Sequence, residues 1–177
     1  MALKTPPSGQ LLSLDIVEGR DAVPVAKKLL KSRSKSGGVS VWDASSVFFE
    51  MHNLEVNEHP SPRTLLLLYS ADLFFRLRWE IQPALDEGKC VIAAPYVETG
   101  YAFGAITGLP KKWVSEIFRF APKASECFQV NGQGNKTLGE ATSGFVEFCS
   151  SVLNQDLRPE FIAYFKNLER RGVSSLL

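Results

Sequence analysis

The chain has 177 residues, the size of one ordinary domain, and its 45% hydrophobic and 22% charged residues are typical of a globular protein. Its 20 basic and 19 acidic side chains give a formal net charge of +1, which excludes an overall electrostatic attraction to nucleic acid or to an anionic membrane. We therefore expect a single domain over residues 1–177 with neither of these partners.

The first part of the chain alternates short apolar runs with one helical pattern. Residues 1–9 are expected to be irregular or disordered. Leu11–Val17 is typical of a buried strand, Ala22–Lys35 has helical spacing, and Gly37–Gly38 is expected to cap that helix at its carboxyl end. Val39–Trp42 predicts a second strand.

The middle of the chain holds a long helical pattern followed by a third strand. The pattern runs from Pro62 to about Glu87 and ends at Gly88. Pro83 is expected to kink this helix or to end its first part, because proline lacks the N–H group that a helix interior requires. Cys90–Ala94 is apolar on both faces, which suits a strand at the centre of a parallel sheet.

The last third continues the alternation of strands and helices. It predicts helices at Lys111–Phe120, Gly144–Leu153 and Pro159–Arg171, a strand at Cys127–Val130 and a loop at 131–142. Because predicted strands alternate with predicted helices, the pattern favours an α/β layer fold with a mostly parallel sheet.

The cysteines and the amino terminus bear on the compartment. Cys90, Cys127 and Cys149 are an odd number without metal-ligand spacing, and neither histidine has a cysteine nearby, so no metal site is predicted. Cys90 and Cys127 lie in or beside apolar runs typical of buried strands, and they are interpreted as small core side chains in a reducing compartment. Met1–Pro7 lacks the apolar segment of a secretory signal, and no stretch has the length of a membrane span. We expect a cytoplasmic protein.

Two segments carry a resemblance to a known family. Thr64–Asp72 reads TLLLLYSAD, and Ile81–Tyr96 reads IQPALDEGKCVIAAPY. They resemble the middle of thymidylate kinases, which act on dTMP and Mg-ATP, and the order of elements is similar from about Leu11 to Val130. The resemblance implies a three-layer P-loop-NTPase-like fold, in which helices flank a mostly parallel central sheet.

The phosphate loop of this family is incomplete in the chain. In the family, the first strand leads into Glu-Gly-x-Asp-x-x-Gly-Lys-Ser, whose backbone N–H groups surround the phosphates. The opening of that pattern is present at Glu18, Gly19, Arg20 and Asp21. The Gly-Lys-Ser core is missing, and Pro24 removes a further N–H donor. The resemblance thus implies a degenerate phosphate loop; a disguised working loop, with Arg20 in place of the lysine, is the alternative.

Other charged positions of the family also hold different side chains. The strand that should end Asp-Arg-Tyr has Ala-Pro-Tyr at Ala94–Tyr96, and Leu73 replaces the arginine of the long helix, with Arg76 nearly one turn further. Asp43 stands where an arginine should bind the monophosphate, and the loop 131–142 replaces the Arg-rich lid. Because phosphoryl transfer depends on positioning and electrostatic stabilisation, we expect these changes to lower its rate by many powers of ten.

The nucleoside side of the family site is better preserved. The matching residues are Tyr69, Tyr96, Thr99, Gly100 and Phe103. They imply a remnant pocket for a base or another planar ligand. The alternative is that these residues serve only to pack the core, with Tyr69 as one aromatic at helical spacing.

Together these features predict a thymidylate-kinase-like protein that acts by binding or assembly, without catalytic residues, metal or cofactor. A nucleoside or nucleotide is the candidate ligand. The resemblance also implies a homodimer through the helix 62–87, whose side chains are apolar on more than one face. The alternatives are a nucleoside-binding regulator, or an active dTMP kinase using Mg-ATP. The latter would need a phosphate site rebuilt from Arg20, Lys27, Arg76 and Lys136.

Overall fold

The computed structural model describes residues 9–17, 22–42, 59–130, 144–169 and 174–175. Within these ranges, the strands are Gln10–Ile16 (β1), Gly37–Val41 (β2), Cys90–Ala94 (β3), Glu126–Val130 (β4) and Ser174–Ser175 (β5). The helices are Ala22–Arg33 (α1), Pro62–Arg76 (α2), Gln82–Asp86 (α3), Val97–Ile106 (α4), Lys111–Phe118 (α5), Phe145–Val152 (α6) and Arg158–Glu169 (α7), and the π-helical segment Leu77–Ile81 joins α2 to α3. None of these helices is long and apolar enough to cross a membrane. The expectations for residues 1–8, Glu18–Asp21, Asp43 and the loop 131–142 lie outside the described residues.

The described strands form one sheet in the order β2-β3-β1-β4-β5, and each neighbouring pair is parallel. Helix α1 packs on one face of this sheet, where Ala26 and Leu29 join a cluster that includes Leu14. A larger cluster covers the opposite face, with side chains from α2, α4, α5, α6 and α7. The predicted three-layer α/β fold with a mostly parallel sheet flanked by helices is confirmed.

The two central strands are buried on both faces. All five residues of β3 are buried, as its apolar sequence predicts. In β1, Leu12 and Leu14 belong to the α1 cluster, whereas Leu11 belongs to the larger cluster on the opposite face. Because side chains alternate along a strand, Ser13 and Asp15 share the face of Leu11. Both are fully buried, so β1 places two polar side chains inside an otherwise apolar layer.

The long helical stretch begins and breaks as its sequence predicts. The side chain of Ser61 caps α2 by accepting the N–H of Thr64 at 3.2 Å, and Pro62 occupies the first turn, where its missing N–H has no cost. The predicted interruption near Pro83 is confirmed as the π-helical segment Leu77–Ile81 directly before it. A π turn frees the backbone groups that a proline ring would otherwise disrupt.

The prediction that Gly37–Gly38 caps α1 is wrong. Helix α1 ends at Arg33, and both glycines belong to β2. Gly37 pairs with Cys90, and a Cβ at Gly37 would lie 2.0 Å from the carbonyl oxygen of Cys90. The glycine is therefore explained by the close approach of two strands rather than by the end of a helix.

Candidate functional site

The residues assigned to a base pocket meet beside the carboxyl end of the central strands. Tyr69 lies on α2, Tyr96 follows β3, and the remaining three, Thr99, Gly100 and Phe103, lie on α4. All five are buried. The fold thus brings together residues that are separated by up to 34 positions in the sequence.

Tyr69 is held on all sides by protein atoms. Its hydroxyl donates to the backbone carbonyl of Tyr96 at 2.6 Å. Its ring centroid lies 4.4 Å from that of Phe145 and 6.2 Å from that of Phe118. Burial raises the pKa of Tyr69 well above its usual value, so the phenol is neutral. The ring therefore presents no exposed face for stacking in this structure.

Gly100 and Phe103 complete the same aromatic packing. A Cβ at Gly100 would lie 2.4 Å from Cζ of Phe118 and 3.3 Å from Cε1 of Tyr69. The ring of Phe103 meets that of Phe145 edge-on, with centroids 5.3 Å apart. Side chains of α5 and α6 thus fill the space beside the five residues. Core packing accounts for their contacts, and their role in a ligand pocket stays a prediction.

Asp15, which the sequence analysis did not single out, organises this region. Its Oδ1 accepts hydrogen bonds from the backbone N–H groups of Tyr96 and Thr99, at 3.0 and 3.1 Å, and from the Thr99 hydroxyl at 2.8 Å. Burial raises the pKa of Asp15, and the hydrogen bonds from Thr99 and Tyr96 oppose that rise. The carboxylate lies at the amino-terminal end of α4, where a negative charge is favourable.

One signal for this role was present in the sequence. Asp15 is an acidic residue inside the apolar run Leu11–Val17, and a charge at such a position is rarely buried without partners. Helix α4 has no side-chain cap of its own at Tyr96, so its free N–H groups require an acceptor from elsewhere in the fold.

Arg76 joins three elements from a buried position. It is 3% exposed, and its Nε donates to Asp72 at 2.8 Å. Its terminal nitrogens donate to the backbone carbonyls of Ser40 and Pro95, at 3.4 and 3.3 Å. The guanidinium therefore links α2 to the end of β2 and to the segment after β3, and it also lowers the pKa of Asp15 through its charge.

Glu98 is a second acid in this region. It is half-buried in the first turn of α4. Burial, together with the negative charge of Asp15, raises the pKa of Glu98 to about 7. The electrostatic character of this edge of the sheet thus depends on pH near neutrality.

The described residues offer few cations for a phosphate at this edge. Of the cations considered for a rebuilt phosphate site, Arg76 is bound as described above and Lys27 is exposed on α1. Arg20 and Lys136 lie outside the described residues.

Within the described ranges, no group of three or more His, Cys, Asp or Glu side chains is arranged to hold a metal ion.

Comparison by sequence finds relatives named probable thymidylate kinase, although no protein-family profile matches. The protein of Caldivirga maquilingensis is 32% identical over 103 residues, which cover 58% of this chain and 50% of that protein. The protein of Staphylothermus marinus is 28% identical over 119 residues, covering 66% of this chain and 60% of that protein. The chain thus spans only half to three fifths of these relatives.

Comparison by structure finds two thymidylate kinases that match the fold over nearly the whole chain. Thymidylate kinase from Ehrlichia chaffeensis superimposes with a TM-score of 0.62 at 12% identity, covering 96% of this chain and 93% of that one. Thymidylate kinase from Candida albicans gives a TM-score of 0.59 at 17% identity, with 96% and 83% covered. At these identities the likeness establishes the fold alone.

Proposed function

We propose that this chain, which is thymidylate kinase-like in sequence and fold, does not transfer phosphate and acts instead by binding or by assembly. The observation that carries the proposal is the end of β3. There, Ala94 and Pro95 occupy the positions at which the family resemblance calls for an aspartate and an arginine. The guanidinium of the nearby Arg76 already donates hydrogen bonds to a carboxylate and two backbone carbonyls of the chain.

A phosphoryl-transfer site needs cations, and a carboxylate for the metal, directed at the ligand. Ala94 is fully buried in the cluster on the α1 side, and the carbonyl of Pro95 accepts a hydrogen bond from Arg76. All three nitrogen positions of the Arg76 guanidinium donate to protein oxygens. Its charge is therefore committed to the fold, which argues against a role in a rebuilt phosphate site.

The nearest acids argue in the same direction. Asp15 and Glu98 both lie at this edge of the sheet, and an ionised carboxylate repels a phosphate. The sequence from Glu18 to Asp21 is also followed by no Gly-Lys-Ser core. Each missing contact to the transferred group removes several kcal/mol of transition-state stabilisation, and about 1.4 kcal/mol corresponds to a tenfold change in rate.

The test is a coupled assay of ADP release with dTMP and Mg-ATP, run beside an active thymidylate kinase. We expect no turnover above background at a chain concentration on the order of 10 μM, since ordinary kinases reach about 1–100 per second. Turnover that disappears in Arg20→Ala would establish a rebuilt phosphate site and reject the proposal.

A second experiment measures the thermal unfolding midpoint of the same preparation with thymidine or dTMP. Stabilisation without any effect of ATP would favour the nucleoside-binding regulator.

The homodimer through the helix 62–87 is part of this proposal. Leu67, Phe75 and Trp79 are 49%, 62% and 64% exposed along α2 and the π-helical segment, and we call them the apolar stripe. The rings of Phe75 and Trp79 lie 6.4 Å apart. Leu66 and Leu77 of the same helical stretch are buried in the core. The apolar stripe supports assembly because exposed apolar patches of soluble proteins commonly mark interaction sites.

A further inference from the structure

The start of α4 directs several hydrogen-bond donors at one buried point. The N–H groups of Tyr96 and Thr99 and the hydroxyl of Thr99 all bind Oδ1 of Asp15. The guanidinium of Arg76 is near enough for its charge to lower the pKa of this carboxyl group. Backbone and side-chain donors that converge in this way bind anions in many proteins.

Gln129 adds a donor that is not in use. It stands opposite Asp15 in the register of β1 and β4, and it is 1% exposed. Neither its Nε2 nor its Oε1 has a hydrogen-bond partner, and Oδ2 of Asp15 also has none. Buried polar groups are nearly always hydrogen-bonded. The unpaired carboxamide therefore leaves one donor and one acceptor unused beside the carboxyl group of Asp15.

We propose that these donors form an anion site that the chain fills with its own carboxylate, so that Asp15 is a built-in ligand. Without the side chain of Asp15, the site takes a small oxyanion such as formate or phosphate. The inference rests on the proposed function, in which this chain does not transfer phosphate. The site lies at the carboxyl edge of the sheet, where open parallel sheets bind their ligands. A covalently attached anion at that edge suits a scaffold that has lost its phosphate ligand.

The test removes the built-in ligand and supplies anions from solution. The thermal unfolding midpoint of Asp15→Gly is measured in sodium chloride, sodium formate and sodium phosphate at equal ionic strength. We expect the variant to unfold below the parent chain. Formate should raise its midpoint by about 2 to 4 °C over chloride when present well above its Kd, while the parent responds equally to both salts. Phosphate should act at lower concentration, because its additional oxygens can reach Gln129.

Two further variants separate a specific site from general salt effects. Asp15→Asn keeps the site filled by a neutral side chain of the same shape, so its midpoint should not distinguish formate from chloride. Adding Thr99→Val to Asp15→Gly removes a donor and should weaken the response to formate. If Asp15→Gly does not fold, Asp15→Ser replaces it, and the same shifts are expected.

Two results would overturn the inference: an equal response of the parent and the folded variant to formate, or no response in either. The midpoints do not depend on catalysis. Turnover in the dTMP assay would therefore reject the proposed function and leave this measurement to be judged on its own.

Discussion

The carboxyl group of Glu98 shows how a single residue makes this fold sensitive to pH. It is half-buried beside the buried Asp15, and these two causes raise its pKa from 4.5 to about 7. Between these pH values the folded chain retains a proton that the unfolded chain has lost. Stability therefore falls as the pH rises through this window and levels off above it.

Replacing Glu98 by glutamine removes this pH dependence. We expect Glu98→Gln to match the parent chain at about pH 4 and to be more stable at about pH 8, by on the order of 1 to 3 kcal/mol. The measurement is urea unfolding at several pH values. Glu116→Gln replaces an exposed carboxyl group on α5 and is the control. A pH profile of Glu98→Gln that runs parallel to that of the parent would contradict the assignment.

At the scale of elements, α4 and α5 approach closely because glycines face large side chains. Gly100 and Gly104 stand one turn apart on α4. A Cβ on Gly100 would lie 2.4 Å from Cζ of Phe118, and one on Gly104 would lie 2.7 Å from Cγ2 of Val114. Phe118 and Val114 are likewise one turn apart on α5. The two helices therefore fit as ridge into groove, at the cost of low helix propensity in α4.

Gly100→Ala tests which of these two effects is larger. Helix propensity alone would stabilise the variant by about 1 kcal/mol. We expect a net loss of about 1 to 3 kcal/mol instead, because the new methyl group has to displace the buried ring of Phe118. The free energy of unfolding is measured in urea. Gly38→Ala is the control, since a Cβ at that position would meet no atom within 4 Å. A Gly100→Ala variant as stable as the parent chain would show that α4 and α5 separate easily.

At the scale of the whole molecule, the exposed apolar stripe of Leu67, Phe75 and Trp79 is the interface of the proposed homodimer. We expect the parent chain to dimerise at micromolar concentration and Phe75→Glu to shift it to monomer, because a charge in an apolar interface loses its hydration. Sedimentation equilibrium gives the mass. Phe120→Glu is the control, since Phe120 is 73% exposed but lies outside this helix. A monomeric parent, or a Phe75→Glu dimer, would contradict the proposed interface.

The same scale shows why the sequence predicted the fold better than the site. Apolar runs predict β1 and β3 because strands that are buried on both faces are mostly apolar. The start at Pro62, the interruption at Pro83 and the end at Gly88 are signals that predict the long helix. Helix α4 was not predicted, because its acceptor, Asp15, lies 81 positions before Tyr96 in the sequence. The position of the Arg76 guanidinium likewise depends on the backbone carbonyl groups of Ser40 and Pro95, which belong to other parts of the fold. Local pattern carries no information about such contacts.

The position of Phe145 has a consequence for any planar molecule that approaches Tyr69. The first residue of α6 lies 4.4 Å from that ring, and its own ring also meets Trp42 at 5.9 Å. A planar ligand could reach the ring of Tyr69 only after α6 had moved away from it. The apparent affinity for such a ligand is therefore reduced in proportion to the fraction of molecules in which α6 is displaced. A ligand that bound beside Tyr69 would stabilise the conformation in which α6 is displaced. The amide hydrogens of α6 would then exchange with solvent faster in the presence of the ligand than in its absence.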